Sequence, residues 1–346
     1  MLADEDTSQY SAEAPMQKKE GWGMFKNIID NFKKKKILVI GDLIVDHYIF
    51  CDAIGKSAES PTLVVKENEE RVYVGGAGIV ARHLRALGAK AMFVSCLGND
   101  CVANHVLQVL KKEGVDYAIF KDASRPTTVK RRYIADEYKL LRTSVIAEHF
   151  IPQRIENNII KTIELARPDA IIVSDFNYGL ITDNILAAIE TKTCLKFGDC
   201  QSSSQIGDFK QFRNYDVITP TVKEAQIALA EQHDSPEILA EKLMNVTGSN
   251  SIVITRGSSG LFWKNGIRSG TVPALNVHQK DTMGAGDSFL AAMALSMTSG
   301  ALISEACFIG SCMAAEKINL FGNIPIGIDQ LKAAIKKYRG LYDQKK

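Results

Sequence analysis

The sequence predicts an α/β protein built on a doubly wound, mostly parallel sheet, with a second, small β-sheet beside it. Three observations carry this. Short apolar runs ending in Asp, Thr or Gly alternate with stretches of helical period, the pattern of buried parallel strands and their crossover helices. Two pairs of strand-like segments interrupt that alternation. Near the C-terminal end a glycine loop opens a long apolar helix, at Asp281-Thr-Met-Gly-Ala-Gly-Asp-Ser-Phe289. With 346 residues, 46% of them hydrophobic, the chain can bury one large core or two smaller ones.

Composition removes several function classes. A net charge of +2 gives no electrostatic case for nucleic acid or a membrane surface. Seven cysteines, an odd number without a C-x-x-C pair, read as reduced thiols of a cytoplasmic protein rather than metal ligands. No apolar segment approaches the roughly 20 residues of a membrane span. No secretory signal is expected, since the first apolar run follows a polar stretch.

Residues 1–35 read as a leader. Residues 1–20 mix charges without any period, the composition of a disordered tail. Trp22, Phe25, Ile28, Ile29 and Phe32 then recur at helical spacing. The run Lys33–Lys36 is either a solvated helix end, where cations are favoured, or a membrane-surface anchor; the first reading is preferred.

The run 37–42 is a buried strand ending at Gly41-Asp42, with Asp46 just past its exit. Segments 62–66 and 71–74 flank the charged residues 67–70 as a β-hairpin. A second pair, 127–134 and 139–144, brackets 135–138, so the small sheet draws on about 50–75 and 127–144. Gly75-Gly-Ala-Gly78 precedes helical 79–87, a pattern that serves close packing or ligand contact equally. Strands at 91–98, 170–175, 195–199, 216–220 and 251–257, with helices at 102–112 and 221–229, complete a sheet that takes ligands along its carboxyl edge.

The chemistry concentrates at 281–289. The first N–H groups of a helix lack intrahelical partners and sit at the positive end of its dipole, so they attract anions. Gly284 and Gly286 let the backbone approach a bulky phosphate. Asp287 could be a simple cap. Yet a carboxylate beside a bound phosphate is repelled unless it has a task, and taking a proton from an attacking hydroxyl is such a task.

This stretch resembles the C-terminal signature of the ribokinase (PfkB) family of sugar kinases. The resemblance covers about residues 36–340, which it marks as a kinase domain with the small sheet as a lid over the sugar. It implies an anion hole at Gly284, Ala285 and Gly286, with Asp287 as catalytic base. By the same resemblance Asp46, Gly75 and Gly76 lie at the sugar. Thr255, Gly257, Gly260 and Thr282 fall on the nucleotide side, and Glu224 organises magnesium and phosphates. Where the family carries Asn, this chain has Ile79 and Thr221.

Within the family the resemblance leans to the heptose-7-phosphate kinases, through 41–48, Ser60-Pro61, 127–130 and 140–142. Lys130, Arg132 and Arg142 on the lid strands would then receive a sugar phosphate. Two lysines of that subgroup are replaced here by Tyr178 and Gln201. The implied cofactors are ATP, Mg²⁺ and a monovalent cation, and the implied assembly is a homodimer through the lid. No His-x-Gly-His nucleotidyltransferase motif is present, so a sugar-nucleotide product is expected to need a separate enzyme. Two alternatives stay open: a catalytically weak or silent ligand-binding protein of the same fold, and a kinase of a non-phosphorylated sugar or nucleoside.

Overall fold

The computed structural model describes residues 20–136, 138–202, 207–275 and 279–343. Of residues 1–20, expected to be disordered, 1–19 lie outside them, while Glu20 is the first residue of a helix. The described residues begin with α1 (Glu20–Asp30), β1 (Lys36–Gly41), β2 (Leu43–Lys56), β3 (Leu63–Gly76) and α2 (Ala77–Ala86). They continue through β4 (Lys90–Leu97), α3 (Cys101–Lys112), β5 (Asp116–Lys121), β6 (Val129–Ala135) and β7 (Tyr138–Val145). Next come α4 (Gln153–Leu165), β8 (Ala170–Asp175), α5 (Asp183–Glu190), β9 (Leu195–Cys200), β10 (Val217–Ile218) and α6 (Val222–Leu229). The last part holds α7 (Pro236–Thr247), β11 (Ser251–Thr255), β12 (Leu261–Asn265), β13 (Arg268–Val272), α8 (Ala285–Thr298), α9 (Ile303–Ile318) and α10 (Ile328–Asp343).

Among the described residues, nine strands form one sheet in the order β13-β12-β11-β10-β9-β8-β1-β4-β5. Pairing is parallel from β5 across to β11, and only the β11–β12 and β12–β13 pairings, at one edge, are antiparallel. The apolar runs explain why this sheet is covered on both faces. Successive side chains of a strand point to opposite sides, so Ile37 and Val39 join the core under α2, α8 and α9, while Leu38 and Ile40 join the core under α4 to α7. Each fully buried aliphatic or Phe side chain contributes about 1.5–3 kcal/mol. The helix of the leader belongs to this packing. Phe25 of α1 is buried, with its ring centroid 5.4 Å from those of Phe308 and Tyr342.

The four-stranded sheet has the order β3-β2-β6-β7, and with the main sheet it bears out the expected fold class. One sequence reading is corrected. Residues 67–70 are not a turn: they lie within β3, which pairs along its length with β2. The reversal falls at residues 57–62, where Ser and Pro break the strand. Charged residues at 66–71 mislead because this end of the ribbon is solvent-exposed on both faces, so polarity carries no turn signal there. Asp46 is accordingly inside β2, not beyond a strand exit.

Candidate active site

Three pieces of chain meet at the carboxyl edge of the main sheet: the start of α8, the roots of β2 and β6, and the link between α9 and α10. Gly284 precedes α8 with φ of 72°, the left-handed region that glycine tolerates. A β-carbon there would land on Asn323 Oδ1. At Gly286 the space is open, with only Gln201 Nε2 at 3.7 Å from the β-carbon position. Asp287 sits in the first turn of α8, buried, and its Oδ1 has no hydrogen-bond partner among the described residues. Burial first, then the charge of Asp46, push its carboxyl up to about 7, against the opposing pull of Lys317 and Lys130. A carboxylate poised there suits proton abstraction at neutral pH.

Asp281 fixes the loop's entry. Its carboxylate accepts from Tyr48 Oη at 3.2 Å, the Gly322 N–H at 3.1 Å and the Met283 N–H at 3.3 Å. The Lys139 ammonium of β7 stands 3.7 Å away. The small sheet is thereby tied to the glycine loop.

Asp46, expected at the sugar, is buried between Arg132 Nη1 on Oδ1 and Asn323 Nδ2 on Oδ2, each at 2.6 Å. Gly75 is explained by this pair, since any β-carbon would collide with Asp46 Oδ2. Gly76 turns the chain into α2 with φ of 58°. Parallel register sets Asp46 beside Lys130 and Tyr48 beside Arg132, and antiparallel register sets Arg132 beside Arg142. All five therefore share one face of the small sheet. Arg132 is committed to Asp46, whereas Arg142 is exposed. Lys130 is buried near the rings of Phe176 and Tyr178, at 5.7 and 5.6 Å from their centroids. Tyr178 thus supplies a π-face near Lys130 at a position where a lysine was expected. Ile79 is fully buried in α2.

Asp199 lies within reach of the charges of both Asp287 and Glu224. Burial, then the charges of Glu224 and Asp287, raise the Asp199 carboxyl to about 8. Gln201 Nε2 donates to Asp199 at 2.8 Å, a neutral group in place of the second expected lysine. Glu224 closes a capping box with Thr221 and also accepts the Ser202 N–H at 3.0 Å. The Asn-to-Thr departure at 221 is thus filled by an N-cap. Thr255 ends β11, bonded to the Pro220 carbonyl at 2.9 Å and bridged to Thr221. Gly257 is open to space, while Gly260 is required by its own turn, since a β-carbon would strike the Val272 carbonyl. Thr282 is exposed at the mouth of the loop.

No group of three or more His, Cys, Asp or Glu among the described residues is arranged to enclose a metal ion. Mg²⁺ rarely asks for such a cage: it takes one or two carboxylates and fills its shell with water and substrate phosphates. Asp199 and Glu224, close enough that the Glu224 charge helps raise the Asp199 carboxyl, fit that role.

Sequence reasoning missed Lys317, Asn323 and the anchoring work of Asp281. For Lys317 a weak signal existed: it is the one basic residue of the mostly apolar helix α9, next to Glu316 at its end. Asn323 carried none.

A doubly wound sheet with a four-stranded cover and a glycine loop leading to a buried Asp defines a ribokinase-like phosphotransferase. The profile of the pfkB family of carbohydrate kinases matches residues 34–327; the chain belongs to that family and is a sugar kinase. It is 31% identical over 301 residues to the "Bifunctional protein HldE" of Helicobacter hepaticus, a match covering 84% of this chain and 62% of that protein. The chain therefore spans less than two thirds of that relative's length. Among solved structures it superposes on ribokinase from Thermotoga maritima with a TM-score of 0.69 and 22% identity, over 87% of this chain and 99% of that one. It also superposes on phosphofructokinase-2 from Escherichia coli in complex with potassium, with a TM-score of 0.74 and 16% identity, over 89% and 99%. At those identities the likeness concerns the fold.

Proposed function

We propose that this sugar kinase transfers the γ-phosphate of ATP to a hydroxyl of a phosphorylated sugar of the heptose 7-phosphate type, with Asp287 taking the hydroxyl proton. The observation that carries the reading is Asp287 itself. It is buried at the mouth of the Gly284–Gly286 loop, with a free oxygen and a carboxyl raised to about 7. The acceptor hydroxyl lies between that oxygen and the transferring phosphoryl group, and the first N–H groups of α8 receive the charge that develops. Ala285 belongs to this turn. Thr282, Thr255 and Gly257 flank the nucleotide, and Glu224 with Asp199 would hold Mg²⁺, which neutralises phosphate charge when bound.

The sugar lies along the face that carries Asp46, with Gly75 and Gly76 beneath it. Lys130 and Arg142 are the cations for its phosphate, and Arg132 orients Asp46. The relation to a protein named HldE supports the heptose reading, with nucleotidyl transfer left to another domain or enzyme. Val72 and Leu141, exposed on the opposite face of the small sheet, suit a homodimer through the lid. A free-sugar acceptor is the second reading, favoured by the engagement of Arg132 with Asp46. An ATP-consumption screen against heptose, hexose and pentose phosphates and their free sugars tests the proposal. Turnover with heptose 7-phosphate well above every free sugar is expected; preference for a free sugar would reject the phosphosugar reading.

A further inference from the structure

Lys317 is entirely buried, and its Nζ has no hydrogen-bond partner among the described residues. It comes from the last turn of α9, where the Ile318 carbonyl accepts the N–H groups of Lys280 and Asp281 at 2.9 and 3.1 Å. The root of this side chain is therefore stapled to the start of the glycine loop. Its Cε lies 3.5 Å from the β-carbon position of Gly284, so the stem runs directly beneath the loop.

The surroundings are acidic. Burial brings the Lys317 pKa down, and the charges of Asp281, Asp287 and Asp46 oppose that by favouring the ammonium. Asp46 is already paired with Arg132, and Asp281 holds Tyr48, Gly322 and Met283. Asp287 alone of the three keeps an unpartnered oxygen. His83 also senses Lys317 but adds no charge. Its Nδ1 accepts the Ile326 N–H at 3.1 Å, and burial, with Arg82 and Lys317 nearby, brings its pKa down to about 3. A buried ammonium without hydrogen bonds costs several kcal/mol. Nothing in the packing of α9 calls for it, since a methionine would fill the same space.

We infer that the Lys317 ammonium is this site's resident monovalent cation, a tethered charge beneath the glycine loop that holds Asp287 as a carboxylate and offsets phosphate charge. The monovalent cofactor that the family resemblance implies then has no place here, because a second cation beside Lys317 would be repelled. Lys317 acts through Asp287 and the loop, as a positioning residue. The inference rests on the sugar-kinase reading of the loop.

The test compares the full chain in potassium chloride and in tetramethylammonium chloride at equal ionic strength. The native protein should show the same kcat within twofold and the same melting temperature in both. Lys317→Met should fold, with kcat lowered on the order of 10²-fold and sugar KM little changed. Lys317→Ala should regain part of its kcat with K⁺, ammonium or methylammonium, and its melting temperature should rise with the same ions, since a ligand bound only by the folded state stabilises it. A tenfold loss of native activity, or a lower native melting temperature, without K⁺ would overturn the inference. So would a wild-type kcat in Lys317→Met, or a Lys317→Ala protein that none of these ions rescues. Should Lys317→Met fail to fold, the native comparison decides. Should the native protein phosphorylate no sugar, the kinase reading fails while the melting temperatures still decide on the cation.

Discussion

Arg132 Nη1 meets Asp46 Oδ1 at 2.6 Å, and both side chains are buried. Desolvation offsets much of the attraction in such a pair, so its net worth is small, but removing one partner strands the other charge. Arg132→Ala is expected to cost about 3–5 kcal/mol in urea unfolding. The double variant Arg132→Ala/Asp46→Asn should recover a good part of that loss. Equal stabilities of the single and double variants would mean that the pair is not coupled.

The pH dependence of Asp287 has two expected signatures. As a base it must be ionised, so kcat/KM should fall about tenfold per pH unit below an apparent pKa near 7 and level off above it. Its folded-state pKa lies above the unfolded value, so its contribution favours folding fully below pH ~3.9 and is lost as pH rises through about 7. Asp287→Asn removes that burden. The variant should be more stable than the parent at pH 8, by up to roughly 4 kcal/mol, and no more stable at pH 4. Its kcat should drop by ~10²–10⁴-fold. Near-normal turnover in the folded variant would take Asp287 out of the mechanism.

Gly284 and Gly286 should respond differently to added side chains. Gly284→Val clashes with Asn323 and forces a left-handed backbone on a β-branched residue, so both stability and activity should fall. Gly286→Ala meets open space within a helical turn, and alanine is the better helix former by up to ~1 kcal/mol. That variant should melt no lower than the parent yet show a raised KM for ATP. An unchanged KM would move the phosphate away from this loop.

Arg142 is exposed on the face that carries Asp46, so Arg142→Ala should leave the melting temperature unchanged. If it receives a sugar phosphate, a charge-assisted bond of roughly 1.5–3 kcal/mol is lost, equivalent to about 10–100-fold in KM for the phosphosugar. KM for ATP should not move. Equal use of free and phosphorylated sugars, with Arg142→Ala neutral on both, would remove the phosphosugar reading and leave the sugar kinase intact.

Glu224→Ala deletes the capping box of α6 and should destabilise by about 0.5–2 kcal/mol. If Glu224 also serves Mg²⁺, the variant needs more magnesium for half-maximal rate. Glu224→Ala with an unchanged magnesium requirement would confine the residue to its structural role.

The sequence by itself determined the layered architecture and the place of the glycine loop. Both are local in origin: alternating apolar runs dictate strands buried on both faces, and a glycine turn before an apolar helix dictates an anion-binding helix start. The charged ribbon at 66–71 escaped it because an exposed strand leaves no period to read. What only the tertiary structure decided is the partnering of charges. Arg132, read as a phosphate ligand, turns onto Asp46 across 86 residues, and Asn323 reaches the same carboxylate across 277. Lys317, the one lysine of a mostly apolar helix that also carries Glu305 and Glu316, comes to lie beneath Gly284. Which oxygen a cation meets depends on distances between elements far apart in the chain, and in a buried site those distances set the free energy of every charge.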